Sequence, residues 1–247
     1  ILAALSLSGF LSAFPAAAQI TVAVAANMRH AMEDMNADLK KTTGMDVKTV
    51  YGSSGKLAAQ IKNGAPFDVF VSADMDFPDS LAKWGLAAAK ARPYAYGKLV
   101  LWTIKDLDPA KGLAGLTESG VARIALADPQ RAPYGREAVK ALKKSGAYEG
   151  VKGKLIFGES IAQVNQYILL GTVDIGFTAK SVVLADDMRG KGKWAEVDSS
   201  AYDPIVQGAL ICKYGNENHP APSARFLDYL YSAPARAILA KYGYALP

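Results

Sequence analysis

Short apolar runs recur along this chain, each followed by a polar turn and then by a stretch whose apolar positions repeat at helical spacing. The run at 20–25 (ITVAVA) carries no charge and predicts a strand buried on both faces. Beyond Ala26-Asn27, the apolar positions Met28, Ala31, Met32, Met35 and Leu39 predict a helix over 28–43, stopped by Gly44. Its methionine stripe reads as a core face. The scheme then repeats, with a strand at 47–51, the loop Gly52-Ser53-Ser54-Gly55, a helix at 56–63 and a strand at 68–72. Strands and helices in alternation imply a parallel sheet with helices on both faces, an α/β fold.

A second set follows. Strands are predicted at 98–102, 123–127, 154–157 and 173–178. Helices follow the loop Ala132-Pro133-Tyr134-Gly135, running to Gly146, and the turn Gly158-Glu159-Ser160, covering 161–170. A late strand at 205–212 precedes helices near 222–231 and 234–242. Two such sets in 247 residues predict two lobes, one of residues 19–97 plus 209–247 and one of residues 98–208. The chain would cross between them near 97–101 and again near 207–209, and the last helices would pack back on the first lobe.

Composition changes this picture in three ways. Residues 1–18 are uncharged and end in Ala16-Ala17-Ala18, which predicts the apolar core and cleavage site of a secretory signal truncated at its front. The mature chain would begin at Gln19 and act in the periplasm. Cys212 is the only cysteine and His30 and His219 are the only histidines, so a disulfide framework, a Cys-rich metal site and a His-based triad lack material. Cys212 sits in an apolar run and reads as a buried structural thiol. The net charge of +5 suits encounter with anions, but it is too dispersed to argue for nucleic acid.

No enzyme motif stands up. Gly52-Ser53-Ser54-Gly55 is not a G-x-S-x-G elbow, and neither a phosphate loop nor a dinucleotide fingerprint occurs. Asp68, Asp74 and Asp76 lack calcium-loop spacing and read as solvated or helix-capping residues. Tyr94, Tyr96 and Trp102 flank the first crossing and read as core or hinge packing.

What remains is a feature shared by four places: a small or polar residue where a strand turns into a helix. These are Ala26-Asn27, Ser53-Ser54-Gly55, Tyr134-Gly135 and Ser160-Ile161. A helix start leaves backbone N–H groups without partners and carries the positive end of the dipole. In a parallel sheet such starts lie at the carboxyl ends of the strands, where ligands bind. Each turn alone is an ordinary cap. Their repetition in both halves predicts an anion site made without charged side chains.

At these loops the chain resembles the molybdate-binding proteins of ABC importers. The likeness covers nearly all of 19–247 and is carried by TVAVAANM (21–28), YGSSGKLAAQIKNGAPFDVFVSAD (51–74), YGKLVLW (96–102), ADPQRAPYG (127–135) and KYGY (241–244). The resemblance implies a two-lobed periplasmic-binding-protein fold of type II, with parallel-rich sheets flanked by helices and a ligand cleft between the lobes. It implies a monomer that is not an enzyme, needs no cofactor and docks transiently on a membrane permease. Its ligand would be molybdate or tungstate, with sulfate or phosphate as the rival on the same fold. Carried over by motif, Ala26, Asn27, Ser54, Tyr134 and Ile161 would touch the anion. The metal would be met only as an oxyanion, not a bare cation. Asn27 and Ser54 would offer side-chain donors, and the others backbone N–H groups. One branch of the family has Ser at the position of Asn27 and a binding Tyr near Ala179; here that hydroxyl is lacking.

Overall fold

The computed structural model describes residues 19–247; the signal expected over 1–18 lies outside the described residues. The strands are β1 (Ile20–Ala25), β2 (Val47–Gly52), β3 (Val69–Val71), β4 (Arg92–Gly97), β5 (Leu99–Thr103), β6 (Ile124–Ala127), β7 (Leu155–Gly158), β8 (Ile175–Ala179), β9 (Lys193–Glu196) and β10 (Ile205–Ile211). They form two five-stranded sheets, ordered β2-β1-β3-β10-β4 and β7-β6-β8-β5-β9.

The two sheets follow one plan. In the first, β1 lies parallel between β2 and β3, and β10 runs antiparallel beside β3. In the second, β6 lies parallel between β7 and β8, and β5 runs antiparallel beside β8. β10 and β5 are thus equivalent: each is the strand by which the chain enters a sheet from the other lobe. The expected two-lobed, parallel-rich α/β fold is what the chain adopts.

Only Lys98 separates β4 of the first sheet from β5 of the second. The second crossing comes earlier than expected. Ile205 already pairs with Gly97, and β10 stays in the first sheet throughout. A lobe boundary at 208 therefore cuts a single strand. The shift of register between Gln207 and Gly208 is a bulge within that strand and not a break between lobes.

Three apolar clusters fill the layers. The helix Arg29–Thr43 places Met32, Met35 and Leu39 against β1 and against Phe226, Leu230 and Leu239. The last three belong to the helices Pro220–Leu230 and Ala233–Lys241, which do fold back on the first lobe. The other face of that sheet packs Phe70 and Leu210 on Leu57 and Leu81. The second lobe buries Trp102, Leu126, Ile161 and Phe177 together. Burying each such side chain contributes about 1.5–3 kcal/mol. The helix Arg29–Thr43 stops where Gly44 turns left-handed at φ 70° and its N–H reaches Lys40 O at 2.9 Å.

Two acidic residues depart from expectation. Asp68 is buried, where it accepts from the Thr21 N–H at 2.6 Å and lies 2.7 Å from His219 Nδ1. Asp74 is buried too. It accepts from the Phe77 N–H at the start of the helix Asp76–Lys83, but it also faces Arg136 of the other lobe. Sequence spacing could not show either partner. Cys212 is buried as expected, and burial pushes its thiol up to about 12, far from a thiolate at neutral pH.

Candidate functional site

The site is built where parallel strands end. β1 runs straight into a short 3-10 turn, Ala26–Met28, ahead of the helix Arg29–Thr43. β2 ends at Gly52, Ser53 stays extended, and the helix Ser54–Lys62 begins. In the second lobe the helix Pro133–Lys144 begins a few residues beyond β6, and Ile161–Leu169 begins beyond β7. Two of these helices start earlier than expected, at Ser54 where 56 was read and at Pro133 inside the loop 132–135. Proline at 133 sits at the first helical position, where no N–H is needed. Ser160 caps the last of these helices by accepting from the Gln163 N–H.

All five residues predicted to touch an anion line one cavity at the lobe interface: Ala26, Asn27, Ser54, Tyr134 and Ile161. Ser53 and Ala132 join them. Every one is at most 6% exposed. The cavity is small, with about 210 Å³ of space including its mouth. A sugar or a peptide is too large for it. Larger hollows exist, such as one of 740 Å³ between Asp106 and Lys193, but charged side chains line them.

No charged side chain lines the small cavity. Its polarity comes from helix starts. Asn27, Ser54, Tyr134 and Ile161 each occupy the first or second position of a helical segment, where the backbone N–H has no intrahelical partner. Three of these segments are helices of nine to twelve residues, whose positive ends converge on one space. Gly135 brings its helix against the end of β6: a Cβ there would lie 1.9 Å from Ala127 O. Only glycine permits that approach.

The two side-chain donors expected from the sequence differ in the structure. Ser54 Oγ accepts from the Ala73 N–H at 3.0 Å, which leaves its own hydrogen to give. Asn27 has both amide hydrogens engaged, with Gln207 Oε1 at 2.9 Å and the Tyr244 hydroxyl at 3.0 Å. In this arrangement the backbone N–H is what Asn27 offers the cavity. Its side chain holds the first lobe to the hinge strand instead.

That hydrogen bond opens into a network that sequence reasoning missed. Gln207 Oε1 also lies 2.9 Å from the Tyr94 hydroxyl, and Gln207 Nε2 donates to the Tyr134 hydroxyl at 3.2 Å. Ser181 of the second lobe donates to Asn27 O at 2.8 Å. Burial pushes the Tyr94 and Tyr134 hydroxyls well above their ordinary range and that of Tyr244 up to about 12, so all three stay protonated and neutral. A signal was present: Gln207 is a lone amide in the apolar run IVQGALIC, and a buried amide must find partners.

Further bonds tie the lobes around the cavity. Gly55 N–H donates to Arg131 O at 2.8 Å, Lys56 meets Glu159 at 2.6 Å, and Arg136 meets Asp74 at 2.7 Å and Asp76 at 3.2 Å. Burial raises the Asp74 carboxyl, and Arg136 beside it pulls the other way. The cleft is closed. Among the described residues no cluster of His, Cys, Asp and Glu could hold a metal cation, and no helix is long and apolar enough to cross a membrane.

Known proteins are similar to this chain. A molybdate-binding protein of Azotobacter vinelandii is 40% identical over 97% of this chain and 94% of its own length. The solved structure of an Azotobacter vinelandii periplasmic molybdate-binding protein superposes with a TM-score of 0.85 at 32% identity, covering 92% of this chain and 99% of that one. The substrate-binding domain of a putative molybdenum ABC transporter from Clostridium difficile superposes with a TM-score of 0.68 at 25% identity, over 93% and 99%. The family described as bacterial extracellular solute-binding protein matches residues 20–245, and the chain belongs to it.

Proposed function

We propose that this protein captures molybdate or tungstate in the periplasm and delivers it to an ABC importer. The observation that carries this reading is the cavity itself: it is small, closed between two lobes, free of charged side chains and ringed by helix starts from both sheets. The relatives named for molybdate support it, as does the Azotobacter vinelandii relative described as periplasmic.

The mechanism is exchange of a water shell for fixed donors. A tetrahedral dianion entering the open cleft meets the helix starts at Asn27 and Ser54 of the first lobe. Closure brings those at Tyr134 and Ile161. Hydrogen bonds to a charged group contribute about 1.5–3 kcal/mol each, so four or five together offset much of the cost of stripping water from the anion. No carboxylate lines the cavity, so a protonated oxyanion would bring a hydrogen without an anionic acceptor. Hydrogen phosphate is disfavoured on that ground, and sulfate by its smaller size. The closed form, which exists in quantity only with ligand bound, gives a permease a shape to recognise. The protein binds and releases; it acts as a monomer and performs no reaction.

Ser54→Ala tests the reading of this site. Removing one hydroxyl donor to a dianion is expected to weaken molybdate binding about tenfold or more. Calorimetric titration measures it, and an unchanged affinity removes Ser54 from the site.

A further inference from the structure

Ser53 stands beside Ser54 in the same strand-to-helix turn and is not among the five residues named for the anion. It is 3% exposed, and its Oγ is buried without any hydrogen-bond partner. It lines the cavity. Buried hydroxyls are almost always paired, because an unpaired one forfeits its bonds to water.

The ordinary duty of this position is absent. Ser53 is the N-cap of the helix Ser54–Lys62, with an extended backbone at φ −69° and ψ 146°, yet its side chain makes no capping bond. A capping hydroxyl accepts from the second or third N–H of its helix. The second is that of Gly55, and it is given to Arg131 O across the cleft at 2.8 Å. Closure of the lobes therefore claims one of the two N–H groups that Ser53 could have capped, and its hydroxyl stays unpaired beside the cavity.

Resting on the oxyanion reading above, we propose that the Ser53 hydroxyl is a further donor to the bound anion, beyond the five residues already placed at the site. Its chemistry suits that role: one O–H, no competing acceptor, and a place at the positive end of a helix. The orphaned hydroxyl also biases the conformational equilibrium. Closure leaves Ser53 Oγ without a protein partner, and an anion that accepts from it favours closure through this group as well.

The test titrates sodium molybdate calorimetrically into the wild type, Ser53→Ala and Ser54→Ala, and follows thermal unfolding of each without ligand. Ser53→Ala is expected to lose affinity about tenfold or more, while its ligand-free unfolding temperature holds or rises, since no cap is lost and an unpaired group is removed. A Ser53→Ala variant that binds within twofold of the wild type overturns the assignment, whether or not its stability changes. If Ser54→Ala loses affinity in that same experiment, the oxyanion site stands and only Ser53 is removed from it. A wild type that takes up no molybdate overturns both.

Discussion

Replacing Gly55 with alanine is expected to weaken molybdate binding sharply while leaving the free protein at least as stable as before. The added Cβ would lie 2.8 Å from Phe77 Cζ, 2.9 Å from Arg131 Cα and 3.0 Å from Arg131 O. The phenyl ring can turn aside, but the backbone at Arg131 belongs to the other lobe and can retreat only by opening the cleft. When the lobes are apart the same methyl group meets only the Phe77 ring, which belongs to its own lobe. Overpacking of this kind costs about 1–3 kcal/mol, and because it falls on the closed state alone it raises the apparent Kd by roughly 5- to 150-fold. Gly55 is the second residue of a helix and does not use a positive φ. Alanine there favours the helix, by up to about 1 kcal/mol. The two effects have opposite signs, which separates blocked closure from simple damage. Titration with molybdate and urea unfolding of the ligand-free protein measure them. Undiminished affinity would show that the lobes need not approach as closely as they do here.

The second large effect is expected on stability. Gln207 is fully buried on β10 and joins three elements far apart in sequence: Asn27 in the first lobe, Tyr94 on β4 and Tyr134 in the second lobe. Leucine is somewhat bulkier and answers none of its bonds. Tyr94 can still donate to Ser72 O at 3.0 Å, and Asn27 keeps Tyr244. One amide hydrogen of Asn27 and the Tyr134 hydroxyl are stranded. At about 1–3 kcal/mol for each stranded group, Gln207→Leu is expected to lower unfolding free energy by roughly 2–6 kcal/mol. Affinity should fall as well, because Asn27 and Tyr134 lose the bonds that aim their helix starts at the cavity. Gly97 completes this socket. A Cβ there would lie 2.1 Å from the Tyr134 hydroxyl and 2.6 Å from Gln207 Nε2, so the end of β4 leaves room for the tyrosine to cross. Denaturant unfolding that shows a loss below about 1 kcal/mol for Gln207→Leu would mean that the network relaxes around the change.

How far these features can be read from the chain depends on their range. The strands β1, β2, β6 and β8 and the helices that follow are local patterns: an uncharged run, a polar turn, then apolar residues at helical spacing. The site residues are legible for the same reason, since a helix start is a local event and four of them share one design. β4 escapes notice because RPYAYG carries Pro93 and ends in glycine; as an edge strand whose only neighbouring strand is β10 it tolerates the proline. β9 (KWAE) is short, polar and half-exposed at the opposite edge, so no apolar run announces it. The engagement of Asn27 by Gln207 spans 180 residues, and the partner of Asp74 lies 62 residues on. Periodicity carries no information about such pairs. Helix starts that line the cavity are thus local patterns, whereas side-chain partners are not: Asn27 reads as a donor to the anion, and in the structure it gives both amide hydrogens to Gln207 and Tyr244.

The central claim is that uncharged helix starts from two lobes bind a fully ionised tetrahedral oxyanion larger than sulfate. One calorimetric series on the ligand-free wild type tests it most directly, with molybdate, tungstate, sulfate and phosphate titrated in turn at neutral pH. The account predicts one site per chain, tight and comparable binding of molybdate and tungstate, and sulfate and phosphate too weak to displace them. Sulfate or phosphate bound as tightly as molybdate, or no heat from molybdate at all, would contradict it.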